Sequence, residues 1–211
     1  MTDALVTAEK LLQAEAVKLS PHQPFTWASG WKSPIYCDNR KLLSQPFIRD
    51  YIKSELCNVV FEKFAEAELI AGVATAGIAW GAMVADQLKL PFIYVRPKPK
   101  EHGLGNQIEG QYSAGQKTVV IEDLISTGKS SLQVVEVLKQ NGIEIMGMVS
   151  IFHYEFPIAV EAFEKAEVPF HSLTNYSQLL NLSKQRGTIT GADEEVLLNW
   201  RTNPANWTGL S

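Results

Sequence analysis

The sequence predicts an α/β fold, an open parallel sheet flanked by helices. Three features of the 211-residue chain point there. Short apolar, β-branched runs alternate with stretches of helical spacing between residues 68 and 152, the order expected of βα units. The runs at 68–74 and 118–121 are nearly continuously apolar, which suits strands covered on both faces. Each of these two runs opens into a loop of small residues ahead of a helix. Ligands are therefore expected at the carboxyl ends of the strands.

Composition bounds the function. With 45% hydrophobic and 20% charged residues the chain falls in the soluble globular class, long enough for one large domain or one domain with a small appendage. No apolar run is long enough to cross a membrane, and the start of the chain shows no basic-then-apolar targeting pattern. Cys37 and Cys57 have no metal-ligand spacing and read as reduced packing residues, so a cytoplasmic location is expected. A net charge of −4 argues against a nucleic-acid binder. Against that acidic background Arg96, Lys98, Lys100 and His102 form a local basic cluster.

In chain order, Leu5, Leu11, Leu12, Ala16 and Leu19 predict an amphipathic helix over 4–19, ended by Ser20-Pro21. Residues 25–40 read as two short strands joined by a turn at Ser29-Gly30. A helix is expected over 44–66, with Pro46 in its first turn and Ile48, Ile52, Leu56 and Val60 on its apolar face. The strand at 68–74 leads through Thr75, Ala76 and Gly77 into a helix carrying Trp80, Met83 and Val84, a loop suited to an anion. After a strand at 92–95, residues 96–110 combine prolines that oppose regular structure with glycines that permit movement. A loop of that length inside a compact domain is characteristic of a lid or a binding loop. A strand follows at 143–151, then helical and strand fragments at 156–165 and 170–173, helices at 176–182 and 193–200, and an irregular tail.

The organising stretch lies between these elements. An apolar run, 118–121, ends at two adjacent carboxylates, Glu122 and Asp123. Leu124, Ile125, Ser126, Thr127, Gly128, Lys129, Ser130 and Ser131 then lead into a helix through Leu132, Val135 and Leu138, stopped by Asn141-Gly142. A small-residue loop can wrap backbone N–H groups around a phosphate, and the helix N-terminus adds roughly half a positive charge. The carboxylates serve another purpose: they accept from sugar hydroxyls or hold a hydrated divalent cation. The implied ligand is a ribose 5-phosphate. The spacing is not that of a Walker loop.

This pattern, over thirteen contiguous positions from Val119 to Ser131, resembles the phosphoribosyl pyrophosphate (PRPP) signature of type I phosphoribosyltransferases. Phe25, Ser29, Gly30, Ser33, Pro34, Tyr36, Asp38 and Arg40 match an element near the start of orotate phosphoribosyltransferases. Arg96, Lys100, His102 and Gly103 match their catalytic loop, with Pro97 where lysine is usual and Lys98 as a possible substitute. The resemblance implies transfer of a phosphoribosyl group from PRPP to orotate, with magnesium (Mg2+) held mainly by substrate and water and not directly by side chains.

It also implies a set of roles. Lys100 and His102 would close over the pyrophosphate, Glu122 and Asp123 would hold the ribose, and residues 126–131 would hold the 5-phosphate. Thr75, Ala76 and Gly77 would meet the pyrophosphate, next to a cis peptide at Ala74-Thr75. Ala76 stands where many relatives carry lysine. Arg96 and Lys98 would bind PRPP, and Ser29, Ser33 and Tyr36 would lie at the base. Residues 1–43, with part of the C-terminal region, would form a small N-terminal hood on a single domain. A homodimer sharing the 96–110 loop between subunits is implied, with no nucleic-acid or membrane partner. Many relatives have an Asp-Arg pair after the strand ending near 152, and that arginine binds the base carboxylate. This chain has His153-Tyr154-Glu155 there, so the carboxylate contact falls to hood residues, backbone groups or, in part, His153. The alternatives are a phosphoribosyltransferase for another base, or a non-catalytic PRPP-sensing regulator.

Overall fold

The computed structural model describes residues 3–27, 29–98 and 107–209. Strands β5 (Leu69–Val73), β6 (Phe92–Val95), β8 (Lys117–Ile125), β9 (Glu144–His153) and β10 (Phe170–Asn175) run parallel, and β7 (Ile108–Glu109) adds an antiparallel edge. The order across the sheet is β10-β9-β8-β5-β6-β7. The expected parallel sheet is therefore present with one antiparallel strand, formed by part of the 96–110 segment expected to lack regular structure. Ile108 is buried and pairs with Val95, which supplies the apolar anchor that the segment's periodicity did not show.

Both faces of the sheet are covered. Ile70, Val119, Ile121, Val149 and Ile151 pack into one core with α1 (Asp3–Gln13), α2 (Pro46–Lys63) and α3 (Ala76–Leu88). Ala71, Val73, Val120 and Met148 face the other way, toward α4 (Lys129–Gln140) and α5 (Pro157–Lys165). Such two-sided burial explains why these strands read as continuous apolar runs. Helices α6 (Tyr176–Gln185) and α7 (Gly191–Thr202) complete the first core. Among the described residues no helix is long and apolar enough to cross a membrane.

The first helix is shorter than its periodicity suggested. It stops at Gln13; Glu15 takes a left-handed φ of 51°, and the Ala16 N–H donates to the Leu11 carbonyl at 3.0 Å. Residues Val17–Leu19 (β1) then pair antiparallel with Ile35–Cys37 (β4). A strand pairing far along the chain overrides helical spacing here. The turn at Ser29-Gly30 links Phe25–Thr26 (β2) to Lys32–Ser33 (β3), as expected, with β4 as a third short strand. This N-terminal layer is fastened to the C-terminus by aromatic side chains. The Trp200 Nε1 donates to the Lys32 carbonyl at 3.1 Å, and Trp27 lies edge-on to Trp200 at 5.6 Å.

Candidate active site

The carboxyl ends of β5, β6 and β8 lie side by side, so the segments after Val73, Val95 and Ile125 share one rim of the sheet. That juxtaposition follows from parallel pairing alone.

Strand β8 does not end at the acidic pair, as its composition suggested, but runs on to Ile125 because Leu124 and Ile125 stay paired with Phe152 and His153 of β9. The two carboxylates therefore project from a rigid strand. Glu122 is only 6% exposed. Its Oε1 accepts from the Asp123 backbone N–H at 3.0 Å, and its Oε2 accepts from the Ser131 hydroxyl at 3.2 Å. Burial, and then the Asp123 carboxylate beside it, push the Glu122 carboxyl well above the ordinary glutamate range. Burial also raises Asp123, opposed in part by its contact with Glu122 and by the Arg40 guanidinium. Each hydrogen-bond donor added to such a carboxylate pair favours its ionised form.

After Ile125 the chain turns through Ser126 and Thr127 to Gly128, which adopts φ 77°. A side chain there would be strained, and its Cβ would stand 2.9 Å from the ring of Phe163. This glycine is thus required by the turn and by α5, and its substitution would disturb the fold as well as any ligand. No side chain caps α4, so its first N–H groups are left for an external acceptor. Helices α6 and α7, by contrast, are capped by the side chains of Asn175 and Thr190. Ser131 differs from its neighbours in the loop. It is 1% exposed and its hydroxyl serves Glu122.

The β5–α3 junction carries the other small loop. The Ala74-Thr75 peptide is cis, at the expected bond. Thr75 is exposed and does not cap α3. Gly77 is buried, and a Cβ on it would meet the Ile121 carbonyl at 2.5 Å. Its side-chain face therefore serves helix-to-sheet packing and not a ligand.

Around this rim the other expected residues divide. Arg96 exchanges hydrogen bonds with Gln107 at 2.9 and 2.8 Å and lies 3.5 Å from the Glu109 carboxylate; Lys98 is exposed. Lys100, His102 and Gly103 lie outside the described residues. Tyr36 is exposed at 36%, and Ser29 is exposed at the hairpin turn. Ser33 is not available to a ligand. It is fully buried and its hydroxyl donates to the Ile35 carbonyl at 2.7 Å, bracing the turn into β4. The side chains of Leu124 and Ile125 likewise face the two cores. His153 points away from the N-terminal layer and packs edge-on to Phe170 at 4.9 Å. Burial lowers its pKa to about 4, so the ring is neutral.

Sequence reasoning missed Asn39. Fully buried, it donates from Nδ2 to the Asp123 carbonyl at 2.7 Å and ties the N-terminal layer to the acidic strand end. Beside it Arg40 grips Asp38 through two bonds of 2.6 and 3.0 Å. The signal was Asn39's place between Asp38 and Arg40, but a partner 84 residues away leaves no local trace.

A sheet rim with an acidic strand end, a glycine turn and an uncapped helix defines a binder of sugar phosphates, and residues 43–166 match the model of the phosphoribosyl transferase domain. Similarity extends well beyond that domain. Orotate phosphoribosyltransferase of Phocaeicola vulgatus is 56% identical over 200 residues, covering 95% of this chain and 94% of that protein. The Bacillus subtilis orotate phosphoribosyltransferase is 54% identical over 199 residues, covering 94% and 92%. The crystal structure of orotate phosphoribosyltransferase from Aeropyrum pernix superposes with a TM-score of 0.75 at 30% identity, covering 87% of this chain and 99% of that one. The chain belongs to the orotate phosphoribosyltransferase family.

Proposed function

We propose that the chain joins orotate to the ribosyl carbon of PRPP, forming orotidine 5′-phosphate and pyrophosphate in pyrimidine nucleotide synthesis. The observation that carries this reading is the Glu122–Asp123 strand end set against the uncapped α4 turn. It stands in a chain similar over almost its whole length to orotate phosphoribosyltransferases. A ring nitrogen of orotate, its proton already lost to solvent, attacks C1 of the ribose as the bond from C1 to the pyrophosphate oxygen breaks, through an oxocarbenium-like state. Orotate brings the electron pair and pyrophosphate leaves with the other, so no protein nucleophile is needed. The protein's task is to orient the reactants and neutralise the leaving group.

In this reading Asp123 and Glu122 accept from the ribose hydroxyls, and the backbone of residues 126–130 receives the 5-phosphate. Thr75 and Ala76 present the β5–α3 turn to the pyrophosphate. Arg96, Lys98, Lys100 and His102 supply positive charge from the 96–110 segment. Magnesium, bound with PRPP, supplies further positive charge to the leaving group. In this reading the ion is carried mainly by substrate and water. Residues 1–43 with α7 form the hood over the rim, and the enzyme works in the cytoplasm as a homodimer that shares the 96–110 segment.

The test is pyrophosphate release from PRPP and magnesium with orotate, uracil or hypoxanthine offered separately. Release with orotate alone is expected; release with another base and not with orotate would overturn the reading. For the shared segment, inactive Lys100→Ala and Asp123→Asn proteins are mixed under conditions verified to exchange subunits. Activity should return, and its absence in verified mixed dimers would exclude the shared arrangement.

A further inference from the structure

The acidic pair lies where the sheet narrows. Strand β5 pairs with β8 only as far as Gly72 and Ile121. Beyond that point β9 is the one strand still paired with β8, through Ser150 to Glu122 and Phe152 to Leu124. A strand end paired on one flank is held less firmly than one paired on both.

The missing support comes from the N-terminal layer. A six-residue 3-10 helix, Asn39–Ser44, follows β4, and Asp38 caps it by accepting from the Arg40 N–H at 3.2 Å. Asn39, the first residue of that helix, is fully buried. Its Nδ2 donates to the Asp123 carbonyl at 2.7 Å, and its Oδ1 accepts from the Cys37 thiol at 3.4 Å. Burial, and then the Asp123 and Asp38 carboxylates, push the Cys37 thiol well above its ordinary range, so it keeps the proton it donates. The thiol donor meets the amide oxygen and leaves the NH2 group for the strand. The Asp123 N–H is taken by Glu122 Oε1. Side chains thus grip Asp123 at both backbone groups, one of them from 84 residues away. Such a grip has functional weight, because a displacement of about 1 Å in a group that orients a substrate can cost about a hundredfold.

We propose that Asn39 is a positioning residue: its bond to the Asp123 carbonyl holds the Asp123 carboxylate where it meets the ribose of PRPP, so that the N-terminal layer and the sugar site are set together. This rests on the ribose role of Asp123 proposed above. Asn39 itself touches no substrate.

Calorimetry with two ligands tests it. Asn39→Leu nearly keeps the volume and removes the donor. It should weaken binding of PRPP with magnesium about ten- to one-hundredfold. Magnesium pyrophosphate, which has no ribose, should bind Asn39→Leu as it binds the wild type. In an Asp123→Asn background, the same Asn39→Leu change should cost PRPP little more, because the carboxylate it positions is already gone. Equal weakening of PRPP and pyrophosphate, or the same PRPP loss in both backgrounds, makes Asn39 a packing residue and overturns the proposal. If Asn39→Leu does not fold, Asn39→Ala is the second variant, since it leaves room for solvent to satisfy the carbonyl without fixing it. A chain that folds with neither assigns Asn39 to folding and likewise overturns the positioning role. PRPP affinity unchanged by Asp123→Asn alone would instead overturn the ribose reading itself.

Discussion

Two βα junctions leave adjacent strands of one sheet, and they are built differently. At β5–α3 the turn is neutral, and Gly77 lets the helix approach the Ile121 carbonyl. At β8–α4 two carboxylates precede the turn, Gly128 supplies a left-handed residue, and Ser131 reaches back to Glu122. Both helices begin without a side-chain cap. The shared feature gives each junction an N-terminus for an anion. The difference lies in what surrounds that N-terminus: the second junction also holds two adjacent carboxylates at the end of a buried strand, and the first does not. The glycines, similar in sequence, do different structural work.

The largest expected effect breaks the chemical side of that comparison. Glu122→Gln combined with Asp123→Asn should lower kcat/KM for PRPP at least about a hundredfold, since two charge-assisted bonds at about 1.5–3 kcal/mol each are weakened. Thr75→Val at the other junction should cost far less. Equal losses in steady-state assays would mean that the acidic pair has no special part.

Next come the two glycines. Gly77→Ala places a methyl against a backbone carbonyl and should destabilise the fold by about 3 kcal/mol or more. Gly128→Ala meets a left-handed φ and a ring able to shift, and about 1–2 kcal/mol is expected. Denaturant unfolding ranks them, and the reverse order would contradict the close approach of α3. Calorimetry with ribose 5-phosphate should also show weakened binding in Gly128→Ala.

Ser131→Ala sharpens the comparison within the second junction. The hydroxyl favours the ionised Glu122, so its loss should raise that carboxyl further. The acid limb of the pH–rate profile should move to higher pH, with Ser131→Thr restoring it. A profile lowered uniformly without displacement would leave Ser131 a packing residue.

The smallest effect concerns the end of β9, where His153 is buried and neutral. Its folded pKa, about 4, lies below the ordinary 6.5. The unfolded chain therefore binds the extra proton between those values. Stability from this group is complete above about pH 6.5 and is lost as pH falls toward 4. Replacing His153 with Phe should flatten that part of the stability profile while sparing orotate-dependent activity. Loss of activity would return the histidine to the base site.

The elements of the sheet were legible because burial on both faces leaves continuous apolar runs, as in residues 69–73 and 119–121. The acidic pair and Gly128 were legible because their chemistry is local: adjacent carboxylates, a small-residue loop and a helix start all fall within ten residues. What neighbours contribute was not. Periodicity extended α1 through Leu19, but pairing of Val17–Leu19 with Ile35–Cys37 decided otherwise. Ser33 and Ser131 looked like ligand hydroxyls, and packing turned both inward. His153 was a candidate for the base until the strand's alternation set it against Phe170. Asn39 gave no sign of its bond to Asp123. By itself the sequence determined which residues could bind a ribose phosphate, because that depends on residue type and short spacing. Only the tertiary structure decided which of them stand free at the rim and which are buried or already bonded, because burial and hydrogen-bond partners are set by segments distant in the chain.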